Sequence, residues 1–365
     1  LFWALRGAGA GGLGVVTSME IALVEVSTVY AGNLFYPAAD AEEIICRFRD
    51  WAPAQSEELT SAVAILNLPP TDDVPAPLRG RSFAVVRGCW SGDLDAGRAV
   101  VDEWREWRTP VVDMWGALPF AAIDAVSMDP TEPMPVMVTT EWFDDLPDEA
   151  VDIVAARVRP APASAPLIVC GEIRHAGGAI ARSADNAPND RGRQGRFLLE
   201  LVVAVADPHV ALAVESTLRV TRAELEPYVT GAAYLNFTSG SERVARAADA
   251  FTADNRRRLA EIKTAHKANL GVYGARKIHA ELNREGVRVV GAGAAQGRVD
   301  AQRQAHHQPG DPHHGERVKQ IGTQDIAQGD VVLARKDAGV AYHLAVAHDD
   351  AVQGIDHVIR GQDLF

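Results

Sequence analysis

Two hydrophobic periods alternate along the chain up to about residue 268. Alternation rich in Val, Thr and Tyr over 15–37, VVTSMEIALVEVSTVYAGNLFYP, predicts two strands. In AADAEEIICRFRDWA, Ile44, Ile45, Phe48 and Trp51 share one helical face. SAVAILNL and SFAVVRGCW are apolar runs of strand length, joined by the turn-rich PPTDDVPAP. DAGRAVVDEWREW returns to helical spacing, with Val100, Trp104 and Trp107 on one side. EPMPVMVTTEWF reads as a strand; LPDEAVDIVAARV starts a helix with Pro147 and an acid-rich first turn. PLIVCGEIRHAGGAIA and RFLLELVVAVAD predict paired strands across the polar loop RSADNAPNDRGRQG. HVALAVESTLRVTRAELEPYV predicts a long helix, GAAYLNFT a short strand and TADNRRRLAEIKTAH a last helix. Contiguous strands interleaved with helices place this part in the α+β class, an antiparallel sheet covered by helices.

The pattern then changes. VYGARKIHAELNREGVRV is a compact basic helix-turn unit. Residues 291–322 hold almost no large apolar side chains and are expected to form a disordered linker. Hydrophobic patterning resumes from about residue 323. His306, His307, His313 and His314 fall in the Gly/Pro-rich stretch, with no hydrophobic frame to fix a metal geometry, so no metal site is expected.

Composition narrows the function classes. The 365 residues carry a formal net charge of -13, which argues against non-specific binding to phosphate backbones. No apolar run is long enough to span a bilayer, so no membrane partner is expected. Cys46, Cys89 and Cys170 stand far apart and form neither a disulfide framework nor a zinc motif. The apolar N-terminus lacks a basic region and a cleavage pattern, which points to a cytoplasmic protein.

Three stretches resemble known families. In LFWALRGAGAGGLGVVTSMEIAL, Trp3, Arg6, Gly7, the run Gly9 to Gly14 and Val15-Val16-Thr17 resemble the end of the flavin-binding domain of the berberine-bridge-enzyme-like FAD-linked oxidases. VYAGNLFYP is similar to the strand leading into that family's substrate domain, EIRHAGGAIAR to its central strand, and AAYLNF to its Tyr-x-Asn motif. NRRRLAEIKTAHKANL resembles its closing helix. The resemblance covers residues 1–268 and implies FAD as cofactor, a small-molecule substrate oxidised at an alcohol-type carbon, hydride transfer to flavin N5 and oxygen as acceptor. It implies Tyr234 as the proton-abstracting base. It places Gly9, Gly11, Gly12, Gly14, Val15, Val16 and Asn236 at the cofactor, His175 and Arg174 at the substrate, and Arg191 in the following loop. Gly12 stands where the family often has Asn. The family's larger flavin domain would precede Leu1, so this chain alone is expected to make a fraction of the flavin contacts. Read without the family, the glycine run is a tight turn or a close approach to a planar group, and the tyrosine a core residue or a base.

The basic unit over 272–290 is similar to the helix-turn-helix of insertion-sequence transposases, where Arg276, Lys277 and Arg284 would touch phosphates; a solvated basic helix is the alternative. Residues 329–365 resemble the middle of the glutamyl-queuosine tRNA(Asp) synthetases, and the resemblance makes Tyr342 and Arg360 amino-acid ligands. A guanidinium grips a carboxylate bidentately, which suits that role. The nucleotide-binding motifs of those enzymes are absent, so activation of ATP is not expected. The expected organisation is the end of a flavin-binding domain over 1–30, an oxidase substrate domain over 31–268, a basic fragment over 269–290, a linker over 291–322 and a synthetase-like fragment over 323–365. Three incomplete resemblances and two apparently cut ends predict either an incomplete oxidase or a composite without catalysis, with weak glutamate or tRNA-related binding as a third class.

Overall fold

The computed structural model describes residues 2–8, 13, 16, 19, 21, 23–72, 74–129, 135–159, 168–182, 187–193, 195–205, 208–268, 280 and 282–284. The chain divides into two compact units, 22–253 and 1–21 with 254–365.

The larger unit is an antiparallel sheet with helices on one face. Its strands are β1 (Thr28–Pro37), β2 (Leu59–Asn67), β3 (Ser82–Trp90), β4 (Val112–Asp113), β5 (Gly116–Pro119), β6 (Val136–Phe143), β7 (Ile168–His175) and β8 (Phe197–Ala204). The spatial order is β4-β1-β3-β2-β7-β8-β6, with β5 also pairing β1. This is the expected α+β architecture. Side chains alternate between faces with period two. One face carries Leu34, Tyr36, Val63, Ile65, Ala84, Val86, Leu199 and Leu201 into the main core.

Four helices cover that face: α2 (Ala41–Trp51), α3 (Leu94–Trp107), α5 (Asp148–Val158) and α7 (Ala211–Leu225). They contribute Ile44 and Phe48, Val101 and Trp104, Val151 and Val154, and Val214 and Leu218. Two of them have a legible start. Asp93 caps α3, its carboxylate accepting from the N–H groups of Asp95 at 3.1 Å and Ala96 at 2.9 Å. Pro147 precedes α5, and Asp148 and Glu149 favour the positive end of its dipole. Asn67 closes the sheet's interior edge: its Nδ2 donates to the carbonyls of Val158 and Ile168, both at 2.7 Å, and its Oδ1 accepts from Ser82 Oγ at 2.6 Å.

Two expectations need correction. Of the two strands expected over 15–37, one forms, β1; the described residues before Thr28 carry no strand. GAAYLNFT is not a strand: residues 229–234 are irregular and Leu235–Phe237 make one tight turn. The reason lies in β6, the last strand of the sheet. Its free backbone groups are taken singly by this segment rather than by a ninth strand. Ser239 Oγ accepts from Val138 N at 2.6 Å and donates to Val138 O at 2.8 Å, and Thr230 N donates to Trp142 O at 2.8 Å. Short helices α4 (Asp124–Ser127), α6 (Gly178–Ala181) and α8 (Glu242–Ala245) sit in the connections.

The second unit contains α1 (Phe2–Ala8) and most of α9 (Ala253–Ala268). Ala4, Leu13, Ile262, Ala265 and Leu282 form its small apolar cluster.

Candidate functional site

The sheet face opposite the helices holds the candidate site. Strand register sets two neighbouring rows across it. One row runs Phe35, Val85, Ala64, Glu172, Glu200, Thr140; the next runs Asn33, Arg87, Ala62, Arg174, Leu198, Trp142. At one side the face is apolar, where Phe35, Ala64, Leu66, Phe83 and Val85 pack under Val74 and Leu78. In its middle it is charged.

Glu172 and Glu200 stand directly opposite each other, an arrangement that repels when both are ionised. Guanidinium groups from the adjoining row offset this. Arg87 pairs with Glu172, and Arg174 donates to both Glu172 and Glu200. The carboxylate side chains are 4% and 8% exposed, whereas Arg174 is 34% exposed. Ala62 lies between the two arginines in the row and leaves room for them. Burial pushes the Glu200 carboxyl above the ordinary glutamate value, while Arg174 and Arg87 pull it down. On the far side Arg87 donates to the carbonyl of Ser127 at 3.3 Å, and Asn33 to that of Val126 at 3.1 Å.

Next to this charged centre lies an aromatic shelf. Trp142, Ala176, Leu198 and Ala232 form an apolar cluster, with half-buried Tyr234 packed on it. The Tyr234 ring meets Trp142 edge-on at 5.8 Å and tilts against Phe237 at 5.4 Å. Phe237 in turn lies under the Arg174 guanidinium, 5.0 Å from ring centroid to Cζ.

A second ion cluster pins the segment that carries Tyr234. Arg246 Nη1 and Nη2 grip Glu141 at 2.8 and 2.9 Å, and Nη1 also reaches Glu242 at 2.7 Å. The same guanidinium donates to the carbonyls of Thr140 and Ala232, each at 3.3 Å. Arg222 of α7 adds contacts of 3.2 Å to Glu141 and 3.5 Å to Glu242.

The structure thus brings Arg174 and Tyr234 to one face, through Phe237. It separates His175 from them. Neighbours on a strand point to opposite faces, and the His175 ring lies 5.8 Å from that of Phe197, a residue of the helix-side core. The expectation that both residues of the Arg174–His175 pair face the pocket is therefore corrected to Arg174 alone. Burial and the nearby Arg196 hold the His175 imidazole below its ordinary value. Asn236 is exposed on the turn beside Tyr234, and Val16 is exposed as well. Gly9, Gly11, Gly12, Gly14, Val15, Tyr342, Arg360 and the four histidines lie outside the described residues. Among the described residues no His/Cys/Asp/Glu group could hold a metal ion, and no helix is long and apolar enough to cross a membrane.

Of the Glu172–Arg87–Glu200–Arg174 centre, the sequence reading singles out Arg174 alone. Its signal was there: Glu172 and Arg174 are polar at i and i+2 of an otherwise apolar strand, and Glu200 and Arg87 interrupt FLLELVV and FAVVRGC. Charges on the face predicted to be buried call for partners on neighbouring strands.

The HTH-like domain family matches residues 253–291, a match that takes in α9, which the resemblance over 1–268 assigns to the oxidase-like stretch. A glutamyl-Q tRNA(Asp) synthetase of Rhodobacter capsulatus is 52% identical over 56 residues, covering 15% of this chain and 20% of the relative. An uncharacterized FAD-linked oxidoreductase of Bacillus subtilis, YgaK, is 38% identical over 63 residues, covering 17% of this chain and 14% of the relative. The chain therefore spans a fifth or less of these two curated relatives. Among solved structures, a variant of berberine bridge enzyme aligns at TM-score 0.57 and 16% identity over 72% of this chain and 58% of its own. 6-Hydroxy-D-nicotine oxidase of Arthrobacter nicotinovorans gives 0.57 and 18% over 74% and 59%. A berberine-bridge-like protein of Arabidopsis thaliana, number 28, gives 0.56 and 16% over 72% and 59%. The chain has the fold of the berberine-bridge-enzyme-like FAD-linked oxidases and resembles them, alongside short stretches similar to an HTH-like domain and to glutamyl-Q tRNA(Asp) synthetases.

Proposed function

We propose that the chain supplies the substrate side of an FAD-linked oxidoreductase acting on a small molecule. The observation that carries this is the placement of Tyr234. On a fold shared with FAD-linked oxidases, its ring is wedged between Trp142 and Phe237 on the face of the sheet opposite the four long helices. The described residues suit one wall of such a site: an aromatic shelf beside a charge centre whose ions are already paired. Asn236, exposed on the turn beside Tyr234, is proposed as a cofactor contact of this face.

Bound FAD would supply a hydride acceptor. The chain's residues do the rest. Oxidation of an alcohol carbon to a carbonyl releases one proton and one hydride. In this reading Tyr234 takes the hydroxyl proton at its Oη. Trp142 and Leu198 exclude water behind it. Oxygen is the proposed final acceptor, and the cytoplasm, a reducing compartment, accords with the free Cys46, Cys89 and Cys170.

The test is flavin reduction by a panel of primary and secondary alcohols in FAD-loaded protein. Tyr234→Phe is expected to slow reduction at least 100-fold, the order of a lost general base. Undiminished reduction would exclude the role given to Tyr234. A second reading is favoured by the HTH-like and synthetase-like stretches within one chain: a composite without catalysis. Failure to retain FAD would decide for it.

A further inference from the structure

We propose that Arg174 is a positioning residue for Tyr234, acting through the ring of Phe237. The inference rests on the reading of Tyr234 as the proton acceptor. Arg174 is a substrate-ligand candidate from sequence, yet its Nε donates to Glu172 and its Nη2 to Glu200, on two different strands. A planar guanidinium held at two donors by two buried carboxylates has one orientation. Its face covers Phe237 at 5.0 Å, so that ring inherits the orientation through a cation–π contact. The Phe237 backbone is fixed as well: its N–H donates to the Tyr234 carbonyl at 3.2 Å, and its carbonyl accepts from Thr140 Oγ1 at 3.4 Å. Phe237 then sets one side of the slot for Tyr234, at 5.4 Å and 31°, and Trp142 the other, at 5.8 Å and 79°. The paired carboxylates thus act on the phenol at a distance, by fixing the slab on which its ring rests. Arg174 does not touch the reacting atoms in this scheme.

The test reads the Tyr234 ring directly. The full chain is labelled with 3-fluorotyrosine and its fluorine NMR spectrum recorded. It has six tyrosines, and Tyr234→Phe identifies the signal. Phe237→Leu leaves the ion cluster intact and is expected to displace and broaden the Tyr234 signal, with those of Tyr30 and Tyr36 unmoved. Arg174→Ala is expected to displace it in the same sense, and Arg174→Lys, which keeps the charge but lacks the planar two-donor fork, to recover only a minor part of the original position. The double variant is expected to match Phe237→Leu alone, because both changes cut the same path. A Tyr234 signal unmoved in Phe237→Leu, or a double variant equal to the sum of the single displacements, would overturn the proposal. The measurement needs neither flavin nor substrate. Full turnover in Tyr234→Phe would therefore remove the phenol's catalytic role while leaving its coupling to Arg174 to be judged by the spectra.

Discussion

Replacing Arg246 with methionine has a consequence that can be worked out from the structure. Methionine keeps much of the volume and removes the charge. Arg246 is 9% exposed and holds Glu141 bidentately, so the substitution leaves a buried carboxylate short of its main partner. Breaking such a pair costs about 3–5 kcal/mol. Two carbonyls, of Thr140 and Ala232, lose a donor too, at ~1 kcal/mol each. Arg222 stays at 3.2 Å from Glu141 and 3.5 Å from Glu242, which returns part of the loss. The net expectation is about 3 kcal/mol, or roughly 10 °C in the melting of a unit this size. The cost depends on pH. Burial already lifts the Glu141 carboxyl above the ordinary value, against the pull of Arg246 and Arg222. A group raised in the folded state stabilises fully below its unfolded value, and that contribution is lost as pH rises through the folded value. Without Arg246 the carboxyl rises further, so the penalty is greatest at about pH 8 and shrinks as pH falls toward about 4.3, the ordinary glutamate value. Urea unfolding followed by tryptophan fluorescence at several pH values measures this. A loss under about 1 kcal/mol, or one flat with pH, would refute the view that a buried ion cluster anchors the Tyr234 segment.

Three further outcomes are expected. Asn67→Ala leaves the Val158 and Ile168 carbonyls without their donor and should cost about 2–3 kcal/mol by chemical unfolding, with the fold retained. Gly32 has φ 153°, and a Cβ there would strike the Met114 carbonyl and Trp115 Cα. Gly32→Ala should therefore lower stability by ~3 kcal/mol or more, measured by thermal melting. Burial pushes the Cys170 thiol up to about 11, so in folded protein at about pH 8 it should resist iodoacetamide and react only on unfolding, as read by peptide mass spectrometry.

Much of the larger unit is legible from local pattern. β2 and β3 are apolar runs bounded by turn residues, and α2 and α3 show their buried stripes as Ile44, Ile45 and Phe48, and as Trp104. These elements follow from period and capping alone. The Tyr234 segment does not. Its alternation suggests a strand, but an edge strand with Ser239, Thr230 and Arg246 on its free groups leaves no ladder to join. The decisive partners are about a hundred residues away in sequence. The charged centre has the same character: register, which local periodicity cannot fix, decides that Glu172 meets Glu200 and that Arg174 lies between them and Phe237. His175 shows the converse. Its face could have been read from the period of two, since Arg174 beside it takes the other side.

The central claim is that this chain presents a flavin with the substrate side of its site. Equilibrium titration of the purified full chain with FAD tests it most directly, read by flavin fluorescence and the resolution of the visible bands. The account predicts saturable binding with resolved flavin bands. No saturable signal up to about 1 mM FAD, where binding would be worth only ~4 kcal/mol, would contradict it.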